Sequence, residues 1–215
     1  QSNSEIEGTT VDDRYNNIPF LYAENIEAEQ VYYVENNLFT IGFSNVGGKI
    51  KEFKFNEDDF LKWDKTSLYL INNSLNKFGL TFFANNRPVH TSDLRFEPVF
   101  YDTKKQDTIK STQDKPIKFG MRLFPYASNN TDEKDVQESW LEFVYIIYHD
   151  SYKIDFQIDF HNANNFLSSN TTSVDFEMEA NLFSQEKNTS TEKMVSTVYY
   201  RFLNDDVKYL SEKKN

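Results

Sequence analysis

The chain has 215 residues, no cysteine and a formal net charge of −11, with 20 Phe and 13 Tyr among its residues. Disulfides, Cys-ligated zinc, iron–sulfur centres and a Cys nucleophile are thereby excluded, and a surface this acidic repels nucleic-acid phosphates and anionic lipid headgroups. The aromatic content of 16% is too high for a disordered chain and suits half-buried pleated surfaces, and the length allows one substantial core.

Residues 1–30 read as a flexible lead-in and a first extended segment: Gln1 to Asn17 is polar without periodicity, and Ile18 to Ala28 is a short edge strand or an extended approach. Gln1 to Gly8 lacks the basic start and apolar centre of a signal peptide, so the chain is expected to be a fragment of a longer protein. Residues 31–215 are expected to form a single domain with no internal repeat or linker.

In Val31 to Phe55, VYYVENNLFTIGFSNVGGKIKEFKF, residues Phe39, Ile41 and Phe43 sit two apart, on one face of a strand. Gly47 and Gly48 can take positive φ, so the backbone reverses there before Lys49 to Phe55 returns as a strand. The two glycines form a structural turn. They lack GxGxxG spacing and join strand to strand, so they are no phosphate loop. Asn56 to Ser67 is a charged connection with one helical turn over Asp58 to Trp63. Leu68 to Ile71 and Phe78 to Phe83 follow as strands.

Arg87 to His90 is a loop. Thr91 to Tyr101 is extended, with Leu94, Phe96 and Pro98 on one face and Pro98 marking a strand end or edge. Asp102 to Lys115 and Pro125 to Ser139 are polar loops flanking a strand at Ile117 to Phe124. Trp140 to Tyr148 is almost continuously apolar, as in a strand buried on both faces. After the turn His149-Asp150-Ser151, Tyr152, Ile154, Phe156, Ile158 and Phe160 alternate with polar residues, and all five are expected to be buried. Val174, Phe176, Met178 and Ala180 repeat the alternation. Val195 to Phe202 is a last strand, and Asp205 to Lys214 is a short C-terminal helix with acidic residues first and lysines last. Many short strands with scarcely any helix give an all-β sandwich. No apolar run reaches the roughly 20 residues of a spanning helix, and the charged strand faces do not suit an outer-membrane barrel.

His90, His149 and His161 form no closely spaced metal pair, and each reads as a surface or structural residue. The carboxylates Glu57-Asp58-Asp59, Asp132-Glu133 and Asp205-Asp206 are adjacent in loops and read as solvated charge. No calcium-loop spacing occurs. Catalytic, cofactor-binding and metal residues are therefore not expected. Asn-x-Ser/Thr sequons at Asn72, Asn129, Asn170 and Asn188 arise by chance in an Asn-rich chain.

Four blocks, ENNLFTIGFSNVGGKIKEFKF at 35–55, KFGLTFFANNRPVHTSDLRFEP at 77–98, WLEFVYIIYHDSYKIDFQIDF at 140–160 and VYYRFLNDDVKYLSEKK at 198–214, occur in an order that resembles the large first periplasmic domain of the YidC membrane protein insertase family. The resemblance implies a β-supersandwich like that of galactose mutarotases, with a short C-terminal helix. It further implies a non-catalytic domain, located in the periplasm as part of a bacterial inner-membrane protein. Its anchor would be transmembrane helices outside these 215 residues. The implied partners are Sec translocon accessory subunits and nascent membrane proteins, with no nucleic acid and no cofactor. The loops 102–115 and 125–139 match nothing in that pattern. A carbohydrate-binding or aldose-epimerase-like protein on the same fold is the alternative.

Overall fold

The computed structural model describes residues 28–56, 60–72, 76–84, 87–102, 104, 106–113, 115–125, 138–169, 171–181 and 183–211. Their strands run in order β1 (Val31–Glu35), β2 (Phe39–Ser44), β3 (Ile50–Phe55), β4 (Tyr69–Asn72), β5 (Lys77–Ala84), β6 (Arg87–His90) and β7 (Glu97–Phe100). Then come β8 (Thr108–Lys110), β9 (Ile117–Leu123), β10 (Trp140–Ile147), β11 (Ile154–His161), β12 (Asp175–Glu179), β13 (Thr197–Tyr200) and β14 (Lys208–Ser211). One α-helix, α1 (Thr189–Val195), lies between β12 and β13.

The strands form sheets of order β4-β3-β2-β1-β8, β11-β10-β9-β7 and β12-β5-β6, plus the ribbon β13-β14. All named pairs are antiparallel except β1 with β8. One buried cluster joins the first three sheets: Val34, Phe39, Ile41 and Phe43 from the first, Phe119, Phe143 and Tyr145 from the second, and Leu80, Phe82 and Val89 from the third. Phe43 spans two of these layers, with ring centroids 4.5 Å from Tyr145 and 5.0 Å from Phe119. Phe78 on β5 meets Phe143 on β10 at 5.6 Å. The architecture is an all-β sandwich whose faces are set by period-two alternation.

The register explains why β10 reads as a continuous apolar run. It is central, pairing with β11 from Trp140 to Ile147 and with β9 from Leu141 to Ile147. Leu141, Phe143, Tyr145 and Ile147 enter the core, while Glu142 and Val144 on the opposite face are also buried. Pro98 lies on β7, an edge strand paired only with β9 among the described residues, where a missing N–H costs least.

Several sequence expectations are corrected. Asp205 to Lys214 is not helical where it is described: Lys208–Ser211 is strand β14, and among the described residues the α-helix lies earlier, at Thr189–Val195, so that Val195 ends a helix and does not start a strand. Asn204 takes positive φ, and Asp205 N–H donates to the Phe202 carbonyl, so the acidic residues close a turn instead of opening a helix. Arg87 to His90 is strand β6, and the polar stretch 102–115 contains β8, drawn into the sheet by parallel pairing with β1. Thr91–Asp93 is a 3₁₀ turn before the extended stretch begins. Of the five alternating apolar residues around β11, Ile154, Phe156 and Ile158 are half-buried, but Tyr152 and Phe160 are exposed, because β11 is an edge strand whose ends overhang the core. Phe176 and Met178 on β12 are exposed for the same reason. Phe60 to Trp63 contains no helix. Residues 57–59, the lead-in 1–27 and most of 125–139 lie outside the described residues, as do Asn129 and Asn170.

Candidate functional site

Gly47 and Gly48 have φ of 76° and 61° and are buried. A side chain at either position meets strain and obstruction. A Cβ on Gly48 would stand 2.9 Å from Phe96 and 3.1 Å from Phe143, and one on Gly47 would stand 3.0 Å from the Ser92 carbonyl oxygen. The turn is clasped by its surroundings. Gly47 N–H donates to the Leu94 carbonyl at 2.8 Å, Phe96 N–H to the Asn45 carbonyl at 2.7 Å, and the Tyr145 hydroxyl to the Gly48 carbonyl at 3.0 Å. Burial pushes the Tyr145 hydroxyl far above its ordinary value, so it stays a donor. These contacts commit the turn to packing and leave no cradle for an anion.

Asn36, 4% exposed, ties two hairpins together, and sequence reasoning did not single it out. Its side-chain oxygen accepts from Leu38 and Phe39 N–H at 2.9 and 2.8 Å, and its Nδ2 donates to the carbonyls of Tyr148 and Ser151 at 2.8 and 3.1 Å. All four of its hydrogen-bonding capacities are thereby used. The Asn-rich composition around it masked the signal.

The most concentrated charge chemistry lies on the outer face of β9 and β10, and it too escapes a reading of the sequence. Glu142 is 2% exposed and sits directly across from Arg122. Arg122 Nε and Nη2 donate to Glu142 Oε2 at 3.0 and 2.7 Å, and the Tyr101 hydroxyl donates to Oε1 at 2.5 Å. Gly120 makes room for this: a Cβ there would be 2.2 Å from Oε1. Burial, then the adjoining Glu142 carboxylate, push the Tyr101 hydroxyl up to about 12. The Arg122 guanidinium lies 4.3 Å over the Trp140 ring, which stacks on His161 at 4.0 Å. Both carboxylate oxygens of Glu142 are thus engaged by neighbouring donors within the sheet.

The histidines do not converge. His90 on β6 is hydrogen-bonded through Nδ1 to Thr81 Oγ1 at 3.0 Å. His149, in the turn between β10 and β11, pairs with Ser111 Oγ at 2.7 Å. His161 ends β11 against Trp140. Among the described residues, no three His, Asp or Glu side chains are placed to hold a metal ion. A groove of about 440 Å³ runs along Thr81, Phe83, Thr171, Thr172, Ser173 and Asp175, and the Thr81 hydroxyl on its wall is the one that meets His90. No helix among the described residues is long and apolar enough to cross a membrane.

No family model matches the chain, and no solved structure matches it. Curated relatives do. A membrane protein insertase YidC of Parabacteroides distasonis is 31% identical over 191 residues, covering 88% of this chain and 26% of the relative. One of Porphyromonas gingivalis is 26% identical over 201 residues, covering 93% of this chain and 28% of the relative. One of Azobacteroides pseudotrichonymphae is 25% identical over 183 residues, covering 85% and 26%. The chain spans about a quarter of the length of the curated relatives it matches.

Proposed function

From a chain related along 85–93% of its length to one stretch of the YidC-type membrane protein insertases, we propose that residues 31–215 act as a single non-catalytic periplasmic domain of such an insertase. The domain is held at the inner membrane by helices outside these 215 residues. It supports membrane protein insertion through contacts with Sec translocon accessory subunits or with nascent clients. The observation that carries this reading is the match itself, which at 191 residues is long enough to take in the central β9–β10–β11 sheet. The chemistry supports it. The strongest charged cluster, around Glu142, is internally satisfied, and the histidines are dispersed over separate elements. The net charge of −11 favours protein partners over phosphate-rich ones.

The test is site-specific photocrosslinking in cells from exposed positions of the full gene product, such as Thr172 and Gln157. Adducts with translocon subunits or nascent membrane proteins are expected; a set of adducts containing neither contradicts the reading. A hexose anomerisation assay addresses the enzymatic alternative. No turnover is expected, and clear turnover abolished by His90→Ala would overturn the non-catalytic assignment.

A further inference from the structure

The sheet β12-β5-β6 sets three chemically different side chains in one row. Asp175 lies opposite Thr81, and Thr81 lies opposite His90. Directly opposed residues project to the same face of a sheet, and Phe83, two residues on from Thr81, shares it. That face is the outer one, since Leu80, Phe82 and Val89 on the other are buried. The groove of about 440 Å³ begins at this row and is walled by Thr171, Thr172 and Ser173. The wall is fixed to β5, because the Phe83 carbonyl accepts from Ser168 N–H at 2.9 Å and from the Thr171 hydroxyl at 3.4 Å. The volume falls within the range of about 300–1,000 Å³ of ordinary ligand clefts. Asp175, Glu177 and Glu179 alternate along β12 and share the outer face. Lys77 pairs with Glu177 and Glu179 at 3.7 and 3.0 Å and leaves Asp175 out. Among the described residues, Asp175 has no ion-pair partner and no Lys or Arg lines the groove.

We propose that this groove takes an arginine side chain carried on a partner protein. A guanidinium presents five N–H donors in a rigid plane and accepts nothing. The groove answers with acceptors: the two carboxylate oxygens of Asp175 and the hydroxyl oxygens of Thr81, Thr172 and Ser173. His90 Nδ1 meets the Thr81 hydroxyl at 3.0 Å, and with Nδ1 accepting, the Thr81 oxygen keeps its lone pairs for a ligand. Phe83, 51% exposed, offers its ring to the guanidinium plane and the apolar stem. The charge fits as well. Asp175 is the uncompensated charge of the groove, and the chain's net −11 draws cations towards it. An anionic ligand meets that carboxylate with no cation to offset it, and a neutral sugar leaves its charge uncompensated. The exposed Phe83, Thr172 and Ser173 leave the groove open to a chain passing over it. The inference rests on the insertase reading in taking the occupant to be a protein partner of that assembly.

Threonine methyl NMR of the full gene product in lipid nanodiscs tests it, with the blocked pentapeptide Ala-Leu-Arg-Leu-Ala as probe. Shifts should appear at the methyls of Thr81, Thr171 and Thr172, and not at Thr40 or Thr108 on the first sheet. Citrulline in place of the arginine keeps the shape, loses the charge and should abolish the shifts. Asp175→Asn should weaken the fitted affinity about fivefold without lowering the Tm, since this carboxylate holds no cation of the fold. Phe83→Ser should weaken it too, and Glu97→Gln on the second sheet should leave it unaltered. Full affinity in Asp175→Asn overturns the inference, as does an equal loss in Glu97→Gln, which assigns the binding to diffuse acidity. Equal affinity for a lysine or citrulline peptide overturns the arginine assignment. Blocked free arginine binding as tightly as the peptide assigns the groove to a small guanidinium compound, and maltotetraose displacing the peptide assigns it to carbohydrate; either overturns it. A product that spans the membrane but shows no groove shifts removes this inference and leaves the insertase reading standing. A product without membrane helices removes that reading whatever the groove does.

Discussion

Gly48 shows how a single position carries a fold requirement. Its φ of 61° penalises any Cβ, and the Phe96 and Phe143 rings occupy the place where that Cβ would go. Gly48→Ala should therefore cost about 2–4 kcal/mol, read from a urea melt, the sum of left-handed strain and overpacking. Phe156 makes the opposite case, that of a side chain the core needs. Its ring lies 5.1 Å from Tyr145 and 5.3 Å from Phe78. Phe156→Asp should destabilise by about 3 kcal/mol or more, by placing a carboxylate among aromatic rings. Gln157→Asp, on the exposed face, should stay within about 0.5 kcal/mol. Equal shifts in the two variants would contradict the face assignment. Tyr101 gives a pH signature. Its folded-state value of about 12 lies above the ordinary 10.0, so the folded state holds this proton more tightly. The stability contributed by its bond to Glu142 is complete below pH 10 and is lost as pH rises from 10 towards 12. Tyr101→Phe should be less stable than the parent by about 1 kcal/mol at pH 8, and the gap should close over that window. A gap constant with pH would show that the hydroxyl's proton does not matter.

At the scale of elements, the sequence is readable where a pattern has one cause. Alternation places β2 and β11, and the unbroken apolar run identifies β10 as a strand covered on both faces, because in each case burial alone sets the spacing. It misleads where partners decide. Thr108–Lys110 has no apolar pattern and becomes β8 because β1 offers a parallel edge. Asp205 to Lys214 carries charges in the order a helix favours, yet Asn204 reverses the chain and Lys208 pairs with Asp205 across that turn. The helix that does form has a local signal, since Asn188 caps it by accepting from Thr191 N–H at 3.1 Å. Asn188→Ala should cost about 1 kcal/mol, confined to α1 in a hydrogen-exchange experiment. The exposed ends of β11 and all of β12 could not be foreseen, because period two tells which face is apolar but not how far the core beneath it extends. The Glu142–Arg122–Tyr101 cluster is invisible for a related reason. Its members lie on three separate strands or their ends, and only the β9–β10 and β7–β9 registers bring them together.

For the molecule as a whole, the sandwich explains how the chain holds its shape, and the proposed placement rests on its likeness to the relatives. Four ordered sequence blocks carry the family resemblance by themselves, and the relatives match along nearly the whole chain. The internally paired charges and clasped glycines hold the sandwich together, and the proposed function depends on surfaces presented to other proteins. The absence of cysteine in the 215 residues allows a direct test of that placement. In the full gene product, cleared of any other cysteine, Thr172→Cys can be labelled in intact cells with a permeabilised outer membrane, using a maleimide that does not cross the inner membrane. Rapid labelling before the inner membrane is broken, with the labelled protein sedimenting in the membrane fraction, is the predicted result. Labelling only after the inner membrane is disrupted, or recovery of the protein in the soluble fraction, would contradict the account.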